Sequence, residues 1–315
     1  MKVFAPASIG NLSVGFDSLG LALHAVDGGV LGDVVSLRAG SQDDWVLKVG
    51  GTFADELPED PEDNIVMMSC RRFERLTRAA GKEIETLQVH LEKRLPVGSG
   101  LGSSASSIVA TLVALNHFFG QPLNRPELLQ LMAEMEGNIS GDIHLDNIAP
   151  SLLGGLRLCM PDGRHQHGLP WPGGWQVLVA WPGTRMETKA ARELLPDRLR
   201  RATLVAHGAQ FARFVHELYS GDPRDAAACM NDLIAEPWRK DLIPGFDEAR
   251  KALMSMGALA FGISGSGPTV FAIVDNSRVA VQGKAWLNEN FLKTEMGFVR
   301  HCRADLAGAR QLHTA

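Results

Sequence analysis

Residues 96–107 form the most informative stretch of this 315-residue chain. It reads Pro96, Val97, Gly98, Ser99, Gly100, Leu101, Gly102, Ser103, Ser104, Ala105, Ser106 and Ser107. Glycines let backbone N–H groups converge on an anion, and the start of a helix adds unpaired donors and a favourable dipole. The stretch therefore predicts either a phosphate-binding loop or a tight turn whose small residues only allow close packing.

The segments on either side predict a strand, a loop and a helix in succession. Residues 87–95 alternate apolar and polar side chains like a half-buried strand, and residues 104–119 are typical of a helix that stops at Gly120. No lysine follows the glycines as in a Walker A loop, and no acidic residue lies about 20 positions downstream as in a dinucleotide fold. A phosphate loop of another kind remains.

Elsewhere the pattern of apolar residues predicts a mixture of strands and helices. Strands are expected at 33–37, 175–181, 258–261 and 269–274. Helices are expected at 64–80, 126–137, 225–234 and 247–256, and further helical segments follow the strand at 175–181 through about residue 218. Residues 161–174 are rich in Gly, Pro and His, which favours a domain boundary there. We predict an α+β protein with domains 1–165 and 166–315, the second with helices over an antiparallel sheet.

Composition and charge exclude several classes of partner. The chain is 45% hydrophobic and 21% charged, with a net charge of −5, so no global basic field attracts nucleic acid or a membrane surface. Its cysteines, Cys70, Cys159, Cys229 and Cys302, lie far apart without Cys-x-x-Cys spacing, which favours reduced thiols. With no signal-peptide pattern or membrane-spanning run, the expected location is cytoplasmic.

Three segments carry a resemblance to a known family. Residues 96–105 resemble the ATP-binding motif of the GHMP kinases, residues 6–20 (PASIGNLSVGFDSLG) resemble the N-terminal motif of its homoserine kinase branch, and residues 262–269 (GISGSGPT) resemble the third motif. Residues 136–137, 144–150, 153–155, 188–192 and 236–246 are also similar to homoserine kinases. The resemblance implies an N-terminal domain like domain 2 of ribosomal protein S5 and a ferredoxin-like C-terminal domain.

The resemblance also implies a reaction and its cofactors. ATP and Mg²⁺ would serve to phosphorylate the hydroxyl of L-homoserine, a step toward threonine, in an enzyme that forms a homodimer. ATP would lie on residues 96–106, with Asn64 at the base, and Mg²⁺ on Ser104 and Glu136, hard oxygen ligands suited to that ion. Without the resemblance, Ser104 and Asn64 read as helix caps and Glu136 as part of a solvated face.

The same resemblance implies which residues bind the substrate amino acid. The pocket would be lined by Asn11, Asp17, His144, Thr188, Arg192, Arg239 and Thr269. Asp17 and Asn11 match the amino group, while guanidinium groups suit the carboxylate. The alternative treats both arginines as surface residues and His144 as a structural histidine.

The catalytic base is an open point of the sequence. Mevalonate kinase relatives place an aspartate where this chain has Asn147, and an amide cannot accept a proton. We hypothesise that Asn147 orients the hydroxyl and that no side chain deprotonates it, with Asp146 or His144 as the rival base. A kinase for mevalonate-like acids or sugar alcohols, and a nucleotide-binding relative without catalysis, are the alternative functions.

Overall fold

The computed structural model describes residues 1–39, 44–140, 144–162 and 165–312. The strands are β1 (Lys2–Pro6), β2 (Ser8–Gly10), β3 (Leu19–Ala25), β4 (Gly32–Ala39), β5 (Val46–Gly50), β6 (Leu87–Glu92), β7 (Leu156–Cys159), β8 (Gln166–Leu169), β9 (Gln176–Trp181), β10 (Ala260–Ile263), β11 (Val270–Val274), β12 (Phe298–Ala304) and β13 (Arg310–Gln311). The helices are α1 (Ile65–Ala79), α2 (Ser103–Phe118), α3 (Arg125–Ser140), α4 (Ile148–Leu153), α5 (Thr188–Glu193), α6 (Arg201–Ser220), α7 (Pro223–Ala228), α8 (Glu236–Arg239), α9 (Phe246–Met256) and α10 (Ser277–Asn290).

One sheet supports the glycine-rich loop. Its strand order is β13-β1-β4-β6-β5, with only the β5–β6 pair parallel among the described residues. Helix α2 packs against β4 and β1 on one side and α1 and α3 on the other. Residues 105–115 of α2 are buried all round, as expected for a helix that is apolar on every face. The loop is therefore anchored to a rigid strand and a buried helix.

A second, antiparallel sheet runs through both halves of the chain. Its order is β10-β11-β9-β12-β3-β7-β8, with β2 beside β3. The side chains of Phe246 and Leu253 in α9 and Leu287 in α10 share one apolar cluster with β9, β10 and β11. Phe214 of α6 and Ala226 of α7 belong to a different cluster with the same strands. The predicted arrangement of helices over an antiparallel sheet is confirmed.

The halves share strands at two places. Strand β12 pairs with β3, where Cys302 lies opposite Ala25, and β13 pairs with β1. Strands β7 and β8, which flank the predicted boundary at residue 165, form an antiparallel pair. The exact division into 1–165 and 166–315 stays a prediction.

Most predicted elements are present, and the α+β class is confirmed. The helix expected at 225–234 is too long, because α7 ends at Ala228. The Asp232 carboxylate then accepts hydrogen bonds from the backbone N–H groups of Ile234, Ala235 and Glu236, and a separate helix, α8, begins at Glu236. No element was predicted after residue 274, where the structure contains α10 and β12. No helix of the described residues is long and apolar enough to cross a membrane.

Candidate active site

A cavity of about 820 Å³ lies where the loop before α2 meets residues from the second half of the chain. Among its lining residues are these predicted site residues: Asn11, Asp17, Val97, Gly98, Ser99, Gly100, Gly102, Ser103, Ser104, Glu136, His144, Asn147, Thr188, Arg192 and Arg239. They come from every quarter of the sequence. The fold therefore gathers most of the predicted residues around one space.

Other predicted residues lie behind the cavity wall. Leu101 and Ala105 are fully buried in apolar clusters, and the Ser106 hydroxyl donates to the Ala5 carbonyl. Asn64 is the N-cap of α1, since its side chain accepts from the Val66 N–H at 2.9 Å. Pro96 and Thr269 are also buried and outside the lining, and Thr269 donates its backbone N–H to the Ser99 carbonyl. Thr269 thus supports the loop from behind, whereas Asn64 caps α1.

Left-handed glycines fold the loop around its own backbone. Gly98, Gly100 and Gly102 have φ of 65°, 81° and 64°. A Cβ on Gly100 would lie 2.4 Å from the Ser264 carbonyl oxygen, and the Ser264 hydroxyl donates to the Gly100 carbonyl at 2.6 Å. Glycine is required here both for its φ and for this close approach. The turn at 262–267 thus braces the loop from the far side.

Ser104 and Glu136 form the polar pair at the end of the loop. The Ser104 hydroxyl lies 3.0 and 2.9 Å from the two Glu136 carboxylate oxygens. Burial raises the pKa of Glu136, while the Ser104 hydrogen bond and the charge of Lys93 act in the opposite direction. A partly exposed carboxylate beside a hydroxyl is a suitable donor set for Mg²⁺, which keeps several waters and phosphate oxygens as further ligands.

This donor set is incomplete by itself. In the described part of the chain, no group of three or more His, Cys, Asp or Glu side chains is arranged to hold a metal ion. Ser104 and Glu136 would therefore hold Mg²⁺ only together with oxygens from a bound nucleotide and water. That is the usual arrangement at sites of phosphoryl transfer.

The opposite end of the cavity begins with a strained turn. Asn11, Leu12 and Ser13 all have left-handed backbone conformations, with φ of 66°, 45° and 59°. The Asn11 side chain accepts from the Asp17 N–H at 2.8 Å and donates to the Gly265 carbonyl at 3.0 Å. Backbone strain of this kind persists only where surrounding contacts over-determine it, and it concentrates at functional sites.

Asp17 and Arg192 place opposite charges side by side in the cavity. The two guanidinium N–H groups of Arg192 reach the two Asp17 oxygens at 3.0 Å each. His144 Nδ1 lies 3.7 Å from Asp17 Oδ2. The side chains of Arg192 and Asp17 are each about one-quarter exposed, so they remain accessible to a ligand.

Arg239 is the second guanidinium of this end, and it is almost completely buried. Its side chain donates to the carbonyls of Ala191 at 3.0 Å and Gly265 at 3.2 Å. The Phe16 ring centroid lies 5.9 Å from the guanidinium carbons of both Arg239 and Arg192. Burial lowers the pKa of Arg239, yet arginine stays charged at neutral pH. The cavity thus holds two cations at this end.

Asp146 and Asn147 lie between the two ends. The Asn147 side-chain oxygen accepts from the Ser8 hydroxyl at 2.9 Å, which leaves its NH₂ group 3.4 Å from an Asp146 oxygen. Burial raises the pKa of Asp146 to about 7, and the nearby Asp17 and Glu136 carboxylates act in the same direction. Asp146 can therefore change its protonation state near neutral pH.

Several residues that line the cavity lie outside the motifs recognised in the sequence. Leu57, Ile65, Met68 and Met186 add an apolar wall, and no local pattern distinguishes them from ordinary core residues. The position of Lys93, by contrast, can be predicted from the alternation of apolar residues. It continues the alternation of Leu87, Val89 and Leu91 in β6, all buried, so its charged side chain points inward.

Models of one protein family match segments in both halves of the chain. The model of the GHMP kinases N terminal domain matches residues 64–155, and that of the GHMP kinases C terminal domain matches residues 214–291. A homoserine kinase from Cytophaga hutchinsonii is 34% identical, over 98% of this chain and 96% of that chain, with a TM-score of 0.87.

More distant structures share the fold. A Listeria monocytogenes protein described as a putative homoserine kinase is 23% identical to this chain, with a TM-score of 0.71. The match covers 98% of each chain. The mevalonate kinase of Methanococcus jannaschii is 15% identical with the same TM-score of 0.71, over 96% of this chain and 98% of that one. The predicted family is confirmed: this chain belongs to the GHMP kinases and has their two-domain α+β fold.

Proposed function

We propose that this protein phosphorylates the hydroxyl of L-homoserine with ATP, giving O-phospho-L-homoserine and ADP. The observation that carries the proposal is the arrangement of charges at one end of the cavity, where the Asp17 carboxylate and the guanidinium groups of Arg192 and Arg239 lie together. A zwitterionic amino acid carries the complementary charges. Likeness to the Cytophaga hutchinsonii homoserine kinase supports the same substrate.

The nucleotide would occupy the end formed by the glycine loop. Backbone N–H groups of residues 98–104 and the N-terminus of α2 would receive the phosphates, as helix N-termini commonly do. The apolar wall of Leu57, Ile65 and Met68 suits the base and sugar. Bound there, Mg²⁺ would neutralise phosphate charge as transfer proceeds. Ser104 and Glu136 would hold the ion in place.

The acceptor amino acid would enter the Asp17–Arg192 ion pair. Its ammonium group would bind Asp17, and its carboxylate would take N–H groups of Arg192 and Arg239, because guanidinium forks match carboxylate geometry. Asn11 would fix Asp17 through the hydrogen bond to its backbone. With both charged ends held, the side-chain hydroxyl would point toward Asn147 and the phosphate end.

We further propose that Asn147 orients this hydroxyl and that no side chain removes its proton before transfer. The hydrogen bond from Ser8 holds the Asn147 oxygen, so its NH₂ group is the part directed toward Asp146. A loose transition state needs little prior deprotonation. Asp146 is the rival base, supported by its raised pKa of about 7.

The test is ADP release from Mg·ATP with L-homoserine, beside mevalonate, L-serine and no acceptor. The expected result is ADP release that depends on L-homoserine and forms O-phospho-L-homoserine. Turnover with mevalonate alone would keep the kinase and overturn the proposed acceptor. ATP binding without turnover on any acceptor would favour a non-catalytic relative.

A further inference from the structure

A buried ion pair beneath the glycine loop is not used in the reaction described above. Lys93 follows β6 directly, Asp33 lies in β4, and they are 1% and 0% exposed. Lys93 Nζ lies 2.5 Å from Asp33 Oδ2. Charged groups are almost never buried so completely unless they are paired, so the contact calls for an explanation.

The hydrogen bonds of the two charged groups connect the segments that begin and end the loop. The Asp33 carboxylate accepts the backbone N–H groups of Arg94 at 2.8 Å and Leu95 at 3.1 Å, where the chain leaves β6. Lys93 Nζ donates to the Ser103 carbonyl at 3.0 Å and the Ser107 hydroxyl at 2.9 Å, both in α2. The pair therefore ties the entry of the loop to its exit.

The position of the ammonium group also matters electrostatically. Lys93 lines the cavity that contains the glycine loop, Ser104 and Glu136. Its ammonium group is held there by the Asp33 carboxylate, the Ser103 carbonyl and the Ser107 hydroxyl. Lys93 therefore places a positive charge beneath the loop, and phosphate bound on the loop would be attracted to it.

We propose that the Lys93–Asp33 pair is a positioning device for nucleotide binding: it holds the glycine loop and the first turn of α2 in the phosphate-binding geometry. This inference rests on the proposed ATP site and not on the identity of the acceptor. The hydrogen bonds of the pair join it to the loop and α2, whereas those of the acceptor end join Asp17 to Arg192, and Arg239 to the carbonyls of Ala191 and Gly265. The pair should therefore affect ATP and acceptor unequally.

The test removes both charges together, because removing one would leave an unpaired buried charge and an unstable protein. In Asp33→Asn/Lys93→Met, the asparagine keeps an acceptor for the loop N–H groups and the methionine keeps the volume. The double variant should fold, while its Kd for Mg·ATP, measured by calorimetry without acceptor, rises at least ~10-fold. The KM for L-homoserine should stay within ~2-fold at saturating ATP. A merely structural pair would not produce this split.

Controls separate the possible failures. Arg224→Met/Asp275→Asn removes a solvent-exposed ion pair and should leave the Kd for Mg·ATP unchanged. If the double variant binds Mg·ATP like the unmodified protein, the positioning role is overturned. If the double variant does not fold, Ser107→Ala replaces it, with an expected ~3-fold rise in Kd, and an unchanged Kd overturns the role. Failure of the unmodified protein to bind Mg·ATP would overturn the nucleotide site itself.

Discussion

The two ends of the cavity are built in different ways. The proposed nucleotide end, defined by residues 98–104 and Glu136, is mostly one continuous loop between β6 and α2. The proposed acceptor end, defined by Asp17, His144, Arg192 and Arg239, takes each residue from a distant part of the chain. The first end depends on local backbone geometry, whereas the second depends on long-range packing. Substitutions at the two ends should therefore fail in different ways.

The largest expected effect is on turnover, at the nucleotide end. Glu136→Gln keeps the shape and the hydrogen bond to Ser104 but removes the charge that would hold Mg²⁺. We expect kcat to fall roughly 10²–10³-fold, as when one preorganised electrostatic contact to a transition state is lost. The measurement is ADP release at saturating ATP, homoserine and Mg²⁺.

Glu134→Gln is the matched control for this substitution. Glu134 lies two residues earlier in α3, but its carboxylate pairs with Arg72 outside the main cavity. It should leave kcat within about 2-fold, since partly exposed ion pairs contribute little. Equal losses in the two variants would contradict a metal-binding role for Glu136.

The next effect is on folding and tests the backbone of the loop. In Gly100→Ala, the new Cβ meets the Ser264 carbonyl oxygen at 2.4 Å and the residue must keep φ near 81°. We expect the free energy of unfolding to fall by roughly 2–5 kcal/mol, from backbone strain plus overlap. Chemical denaturation measures it.

Gly120→Ala separates the two contributions to this loss. Gly120 has φ of 71°, but nothing lies within 4 Å of its would-be Cβ. Only the backbone penalty of about 1–2 kcal/mol should remain. If both variants lost the same stability, the close approach of Ser264 to the loop would carry no energetic weight.

A smaller and more selective effect is expected at the acceptor end. Arg192→Lys keeps the charge but loses the two-pronged contact that Arg192 makes with Asp17. We expect the KM for L-homoserine to rise about 10-fold while the Kd for Mg·ATP is unchanged. Steady-state kinetics and calorimetry measure the two constants. Arg213→Lys, in an exposed pair on α6, should change neither, and a parallel loss of ATP affinity in Arg192→Lys would contradict the separation of the ends.

The smallest effect concerns the proton. If no side chain acts as base, Asp146→Asn should lower kcat less than about 10-fold, because general bases typically contribute 10²–10⁴-fold. A loss of several orders of magnitude with unchanged substrate affinity would instead identify Asp146 as the base. If Asp146 were the base, kcat would also depend on pH near its raised pKa of about 7, and that dependence would disappear in the variant.

Asp146 also links stability to pH. The folded state holds its proton up to about pH 7, whereas an unfolded aspartate loses it near pH ~4. The folded state therefore binds more protons in this window, and the free energy of unfolding contributed by this carboxyl falls as pH rises. Asp146→Asn should become more stable relative to the unmodified protein from pH 4 to 7, as thermal unfolding at several pH values can measure.

The sequence carries more local information at the proposed nucleotide end. Three glycines, several hydroxyls and the strand-to-helix change lie within a dozen residues, so local rules predicted the loop and left a phosphate site and a packing turn as alternatives. Glu136, from another helix, needed the family resemblance. At the acceptor end, every role came from resemblance, because no local pattern relates Asp17 to Arg192 across 175 positions of sequence.

The sequence alone determined the α+β class, the glycine loop and the family, because these depend on periodicity, backbone freedom and short motifs. Tertiary structure alone decided that Arg192 pairs with Asp17, that Asp146 is buried beside other carboxylates, and that Lys93 reaches Asp33 under the loop. Burial and charge proximity determine these properties, and both arise only when distant segments of the chain pack together.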